Sequence, residues 1–429
     1  APDQGAVAEI AFLQAFHATL TNNTDVDDIY TVTMTEVVPG DWTTGLCEGA
    51  TCYPPFLYEI TVNLAAHAQT NLDIDLTPGS LGDGNVTITV TSGNNPAQFD
   101  TKTFGVVTPG LDVLLVADDN DLGNHLPYLE SITNAGRTVG TWNRHFMGSF
   151  STDDLGAFST VVWETGNTNG GLEMLDLAAL AYYVQHGGHL FLSGQNLTFE
   201  NCVASSPHYS ATTKNWFNTV LKTDYAMAEG PGDFAAGFEG DIVTGDLFFN
   251  LYGGDGQGNN LTMDALTTLG DAIATIEYGS GNTGANRSSY GDGKTFVCGF
   301  AFEGIDTASS RDGLMSQVLD WFDGLIVGVG DIVSPLMISV PYATPNPFNP
   351  QTNIRFEVGG STSVPVDVTI YNVKGQAVRN LLHASVSPGP QNLVWNGRGN
   401  DGRTLSTGIY MARVNVADQF KTVKMTLVK

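Results

Sequence analysis

Four apolar runs in this sequence end in oxygen-bearing side chains. The run 112–117 leads into Asp118, Asp119, Asn120 and Asp121. Residues 160–163 lead into Glu164, residues 189–192 into Ser193, Gly194, Gln195 and Asn196, and the run 295–300 is followed closely by Glu303. Buried strands that carry polar side chains at their ends are how a parallel sheet builds a crevice at its carboxyl edge. Such a set, read as oxygen ligands only, suits Ca²⁺ or a polyol and argues against zinc. Calcium is therefore the one cofactor to consider, at Asp118, Asp119 and Asp121, or at Asp255 in the Gly/Asp/Asn loop 253–260. The first does not meet the calcium-loop spacing, since Leu122 precedes Gly123 and no Glu follows at the required distance, and the second lacks the period of a calcium-binding β-roll. Asp and Asn in these positions also cap helices and fill tight turns, and that is the preferred reading.

Covalent chemistry finds fewer supports. Ser193 would need a histidine base and a carboxylate to orient it. His125, His186, His189 and His208 are available, but His186 and His189 flank Gly187-Gly188 at a helix-to-strand turn, and Gly-x-Ser-x-Gly is absent. Cys47 and Cys52 enclose four residues and can close a small disulfide loop, whereas Cys202 and Cys298 are distant and can pair or remain buried thiols.

Positioning these residues takes several modules. A chain of 429 residues exceeds one ordinary core. The net charge of −28 repels phosphate backbones and anionic lipid, which excludes nucleic acid and bare membrane as partners. No run of 18 apolar residues is present, so no membrane insertion is expected. The sequence starts at Ala1 rather than Met, and the expectation is an exported protein whose leader has been removed, extracellular or on the cell surface.

The expected fold class is multidomain, β and α/β. Residues 1–107 alternate with period two at 29–35, 57–64, 71–76 and 86–91 and predict a β-sandwich, with 6–16 forming a short helix or a first strand. The Pro39-Gly-Asp-Trp42 turn and the cysteines after it resemble the Ig-like modules of large secreted bacterial proteins, which implies Trp42 in the sandwich core. Residues 110–328 alternate strands (112–117, 138–142, 160–164, 189–193, 295–300) with helices (126–135, 172–186, 311–322), predicting a parallel sheet. Residues 203–294 form an insertion in which 230–240 and 279–293 read as long loops. The stretches 155–166, 178–197, 297–306 and 311–322 resemble the flavodoxin-like, glutamine-amidotransferase-like domains of secreted multidomain proteins. The catalytic members' nucleophile elbow is replaced by Leu192-Ser193-Gly194-Gln195, and their late His-x-Glu is missing where Phe302-Glu303 stands. A linker over 329–343 precedes a second sandwich over 344–429. Its Pro345-Asn-Pro-Phe-Asn-Pro350 segment, the 395–403 loop and the strands around them resemble the flagellar hook-cap type Ig-like domain and the C-terminal sorting domain of type IX secretion cargo.

The resulting functional expectation is a non-catalytic extracellular structural or adhesive protein that self-associates, filament formation included, or attaches to the surface, with itself or cell-surface components as partner. The alternative is a ligand-binding or accessory module of a secreted peptidase or glycan-acting enzyme, using the acidic crevice of Asp118, Asp119, Asn120, Asp121, Glu164, Gln195, Asn196 and Glu303.

Overall fold

The computed structural model describes residues 4–55, 57–119, 123–166, 172–230, 234–326, 341–358, 364–387, 389–416 and 419–429. Asn120 and Asp121, and most of the expected 329–343 linker, lie outside them.

The N-terminal module is two packed sheets. One orders Gln4–Val7, Phe99–Val107, Asp83–Ser92, Asp28–Val37 and Glu59–Leu64, and the other Gln14–Thr21, Gln69–Thr77, Thr43–Glu48 and Thr51–Cys52. Alternation drives the packing: in Asp83–Ser92, Val86 and Ile88 turn into the core, where they meet Val32, Ile74 and Phe104. Trp42 joins this core and donates its indole N–H to the Ser80 carbonyl at 3.0 Å. Residues 6–16 form no helix; two strands, Gln4–Val7 and Gln14–Thr21, start the fold in different sheets. Cys47 and Cys52 are disulfide-bonded across the short hairpin.

The central sheet has nine strands among the described residues. Five are parallel: β1 (Val113–Ala117), β2 (Val139–Asn143), β3 (Thr160–Glu164), β4 (His189–Ser193) and β5 (Gly293–Cys298), in spatial order 2-1-3-4-5. β1 and β3 are buried along their whole length, as expected for parallel strands covered on both faces. Val113, Leu115, Val162, Phe191 and Phe296 face α1 (Leu126–Asn134) and the C-terminal helix Ala308–Phe322. Leu114, Val116, Val161, Trp163, Leu190 and Leu192 face the helix Met174–Gln185 on the other side.

Antiparallel strands extend this sheet beyond β5: Thr283–Tyr290, Ile273–Tyr278, Phe234–Gly237 and Phe248–Asn250. The expected loops 230–240 and 279–293 are corrected here, since both contribute strands. In the second, the alternation is hidden because buried positions are polar and internally bonded: Asn286 donates to the Lys222 carbonyl at 3.2 Å, and the Ser288 and Thr295 hydroxyls pair at 2.7 Å. Cys202 and Cys298 are free, buried thiols, so a disulfide between them is also corrected. Cys298 ends β5 in the sheet interior, facing the α1 side, whereas Cys202 lies in the core on the opposite side.

The C-terminal module pairs a sheet of Tyr342–Thr344, Thr352–Val358 and Gly389–Trp395 with one of Ala377–Val386, Val364–Asn372, Gly408–Val416 and Gln419–Leu427. Phe348 and Tyr410 pack on Trp395 with ring centroids at 5.2 and 5.1 Å.

Both sandwiches are docked on the central domain. At Gly5 and Gly140 a Cβ would fall 2.5 Å from Met147 Cβ and 2.7 Å from Val107, so small residues let the first module close on the second. Thr141 donates its N–H to Asp83 across that junction at 3.1 Å. On the other side, Phe248 meets Tyr371 at 6.0 Å and Lys421 is ion-paired with Asp246.

Candidate functional site

The carboxyl edge of the parallel sheet gathers most of the described acidic candidates, and strand alternation sorts them. Ala117, Glu164, Ser193 and Cys298 are successive register partners across β1, β3, β4 and β5. Glu164 follows Val162 by two residues and therefore points to the α1 side. Asp118 takes the opposite side, where its Oδ2 accepts from the Trp163 indole at 3.1 Å. Burial pushes Asp118 up to about 6, against the lowering effects of Arg144 and Trp163. Asp119 returns to the α1 side and accepts the Asn124 N–H at 2.6 Å. Two adjacent aspartates thus serve two different environments.

On the α1 side, Asp119, Glu164 and His125 each place a ligand atom within 4.8 Å of the others. Glu164 has no exposed surface, and neither carboxylate oxygen has a hydrogen-bond partner among the described residues. The nearby Asp118 N–H is already donated to the Glu164 main-chain carbonyl at 3.1 Å. Burial holds the Glu164 carboxyl well above the usual range, and Glu303, Asp119 and Asp118 raise it further. Glu303 is also fully buried, and burial raises it too. Its oxygens are satisfied: Oε2 accepts from Tyr128 at 2.9 Å and Oε1 from Asn259 at 2.6 Å.

The remaining candidates hold structure together. Ser193 donates to the Phe300 carbonyl at 2.8 Å and accepts the Phe302 N–H at 3.0 Å, tying β4 to the turn that carries Glu303. Its hydroxyl is committed to the main chain. Gln195 accepts from the N–H groups of Leu261 and Thr262 at 2.7 and 3.1 Å, and Asn196 donates to the Thr262 hydroxyl at 2.9 Å. These two staple down the end of the 253–260 loop, which closes over Glu303 through the Gln257 N–H to the Glu303 carbonyl at 2.9 Å. The loop's glycines permit this approach: a Cβ on Gly254 would sit 1.9 Å from the Asp306 carbonyl oxygen. Asp255 is ion-paired with Arg311 at 3.1 Å and accepts the Ala308 N–H at 3.4 Å.

Sequence reasoning placed Asp119, Glu164 and Glu303 at one edge, but treated His125 only as a possible base and missed Tyr128 and Asn259. The position of His125, directly before the helix that follows β1, was the available signal for the first. For Tyr128 and Asn259 no local signal exists, because their partner Glu303 lies 175 and 44 residues away.

Residues 344–419 match the family model of the FlgD Ig-like domain. No curated protein matches the chain. Among solved structures, the chain is similar to the exo-β-1,4-mannosidase Op5Man5 from Opitutaceae bacterium strain TAV5, at 13% identity and a TM-score of 0.33, covering 51% of this chain and 36% of that one. It is also similar to PorZ, a surface component of the type IX secretion system of Porphyromonas gingivalis, at 21% identity and a TM-score of 0.16, covering 21% of this chain and 11% of that one. Dimeric latent PorU of the same organism gives 11% identity and a TM-score of 0.20, covering all of this chain (100%) and 32% of PorU. The chain thus spans about a third of the mannosidase and a tenth of PorZ. Overlaps at these TM-scores carry no argument about activity.

Proposed function

We propose that this is an extracellular structural protein that self-associates through its N-terminal sandwich and works by assembly rather than by covalent chemistry. The observation that carries this reading is an open cleft of about 430 Å³ between the two N-terminal sheets, whose mixed lining includes Leu20, Leu72, Ile88 and Phe99 beside Asp100 and Lys102. The strand Gln4–Val7 pairs only with the 104–107 half of Phe99–Val107. Among the described residues no strand pairs with the 99–103 half on that side. A sheet edge beside such a cleft is a place for a strand from another chain, with main-chain bonds giving affinity and the cleft seating alternate side chains.

Other features agree with export and a structural role. A disulfide at Cys47–Cys52 belongs to an oxidising compartment. The FlgD Ig-like match supports reading residues 344–429 as a terminal module of the type IX sorting kind. The 2-1-3-4-5 strand order is that of flavodoxin-like sheets, which supports an amidotransferase-like scaffold for the central domain. Ser193, at the place of the catalytic relatives' elbow, is bonded to the main chain. Among the described residues, no helix is long and apolar enough to cross a membrane.

Light scattering coupled to size-exclusion, together with negative-stain imaging, tests the proposal. Self-association is expected in the micromolar range and to strengthen with salt, because copies carrying −28 each repel. Phe99→Lys, at a position 68% exposed and so tolerant of a charge, should weaken it at least tenfold without altering the fold. A strict monomer at high concentration and high salt would sink the idea.

A further inference from the structure

We propose that Asp119, His125 and Glu164 form a binding site for one divalent transition-metal ion of the zinc class. This site is independent of the self-association reading and rests on different residues. It lies between the carboxyl ends of β1 and β3, where the chain order of the parallel strands reverses direction (2-1-3), the place where open α/β sheets bind their ligands.

Three observations converge there. Ligand atoms of the three side chains all lie within 4.8 Å of one another, so small side-chain adjustments bring them to one ion with zinc-class bonds of about 2.0–2.2 Å. Glu164 is wholly buried, and among the described residues neither of its oxygens has a hydrogen-bond partner, while the side chain belongs to this cluster. Buried polar atoms are nearly always partnered, and a carboxylate without donors is among the costliest groups to leave so. His125 Nδ1 is likewise buried, with no hydrogen-bond partner among the described residues. A carboxylate oxygen and an imidazole nitrogen both offer lone pairs, and a cation placed between them satisfies both at once.

The surroundings are those of a supported site. Asp119 is oriented by the Asn124 N–H at 2.6 Å, an outer contact of the sort that fixes ligating carboxylates. Glu303 stands behind, anchored by Tyr128 and Asn259, without needing to ligate. Two carboxylates balance the charge of one divalent ion. The imidazole selects against calcium and magnesium, which take oxygen ligands, and in favour of zinc-like ions, so the oxygen-only reading of this edge gives way to a mixed nitrogen and oxygen set.

The test uses the full chain, stripped with a chelator and titrated with Zn²⁺ by calorimetry, with thermal unfolding in parallel. One Zn²⁺ per chain is expected, with a melting temperature raised by several degrees, whereas the same concentration of Ca²⁺ gives no comparable rise. Glu164→Gln and His125→Ala should each weaken Zn²⁺ binding at least tenfold. Both surface acids and protonated buried carboxyls predict otherwise: variants that bind Zn²⁺ as tightly as the wild type, a Ca²⁺ response equal to that of Zn²⁺, or no stoichiometric binding would each overturn the site. Should Glu164→Gln fail to fold, His125→Ala, at a partly exposed position, decides the matter alone.

Discussion

Asp264 shows how a single buried acid ties the insertion to the sheet edge. Its Oδ2 accepts from the Thr198 N–H, the Thr198 hydroxyl and the Phe199 N–H at 2.7, 2.8 and 3.0 Å, capping the helix Leu197–Cys202. Burial nevertheless pushes its carboxyl up to about 6, because the hydrogen bonds offset only part of the desolvation. The folded value exceeds the unfolded one near 3.8, so the protonated form is favoured on folding. Its contribution is fully present below about pH 4 and is lost as pH rises through 6, at most about 3 kcal/mol. Chemical denaturation of Asp264→Asn between pH 4 and 7 should therefore show a flatter loss of stability than the wild type. An unchanged slope would mean that Asp264 is ionised throughout. At this scale the sequence made Asp119, Glu164 and Glu303 legible as strand-end acids. It did not separate Asp118 from Asp119, although the period of two that divides them was present in β1.

Whole elements were easiest to read where local pattern and burial coincide. β1 and β3 are continuous apolar runs, and Asp83–Ser92 alternates cleanly, so all three were legible. The antiparallel extension was not, because Gly284 packs under the Tyr278 ring, 2.9 Å from where its Cβ would be, and buried positions after it include Asn286 and Ser288. Gly and polar residues read as loop when nothing shows that their hydrogen bonds are satisfied internally. The hairpin of Thr43–Glu48 and Thr51–Cys52 is the opposite case, a feeble pairing that carries its own cross-link. Closing a loop of about six residues stabilises by roughly 2 kcal/mol on the chain-entropy account. Cys47→Ser with Cys52→Ser should lower the unfolding free energy of the N-terminal module by about that amount, read by denaturant titration. Reducing agent should do the same to the wild type and nothing to the double variant.

A scaffold transmits load only if its modules are fixed to one another, and the junction between the central domain and the C-terminal sandwich makes this testable. Gly375 sits at φ +70 in the turn after Val364–Asn372, and a Cβ there would fall 1.6 Å from Asn250 Oδ1 on the last strand of the central sheet. Asn250 cannot simply swing aside, since its amide donates to Asp306 at 2.7 Å and so is tied to the loop before the helix Ala308–Phe322. Phe248 against Tyr371 and Lys421 against Asp246 add an aromatic pair and an ion pair to this close backbone approach. Gly375→Ala therefore acts twice. It strains its own turn by about 1 kcal/mol, and it forces the two modules apart by the width of a methyl group. The sandwich itself keeps its core around Trp395, so its folding should survive with only that modest loss. Small-angle scattering should then show a larger radius of gyration for Gly375→Ala than for the wild type, with far-UV circular dichroism unchanged. An identical scattering profile would show that the junction does not depend on this approach, and that the ion and aromatic pairs suffice to hold the modules together.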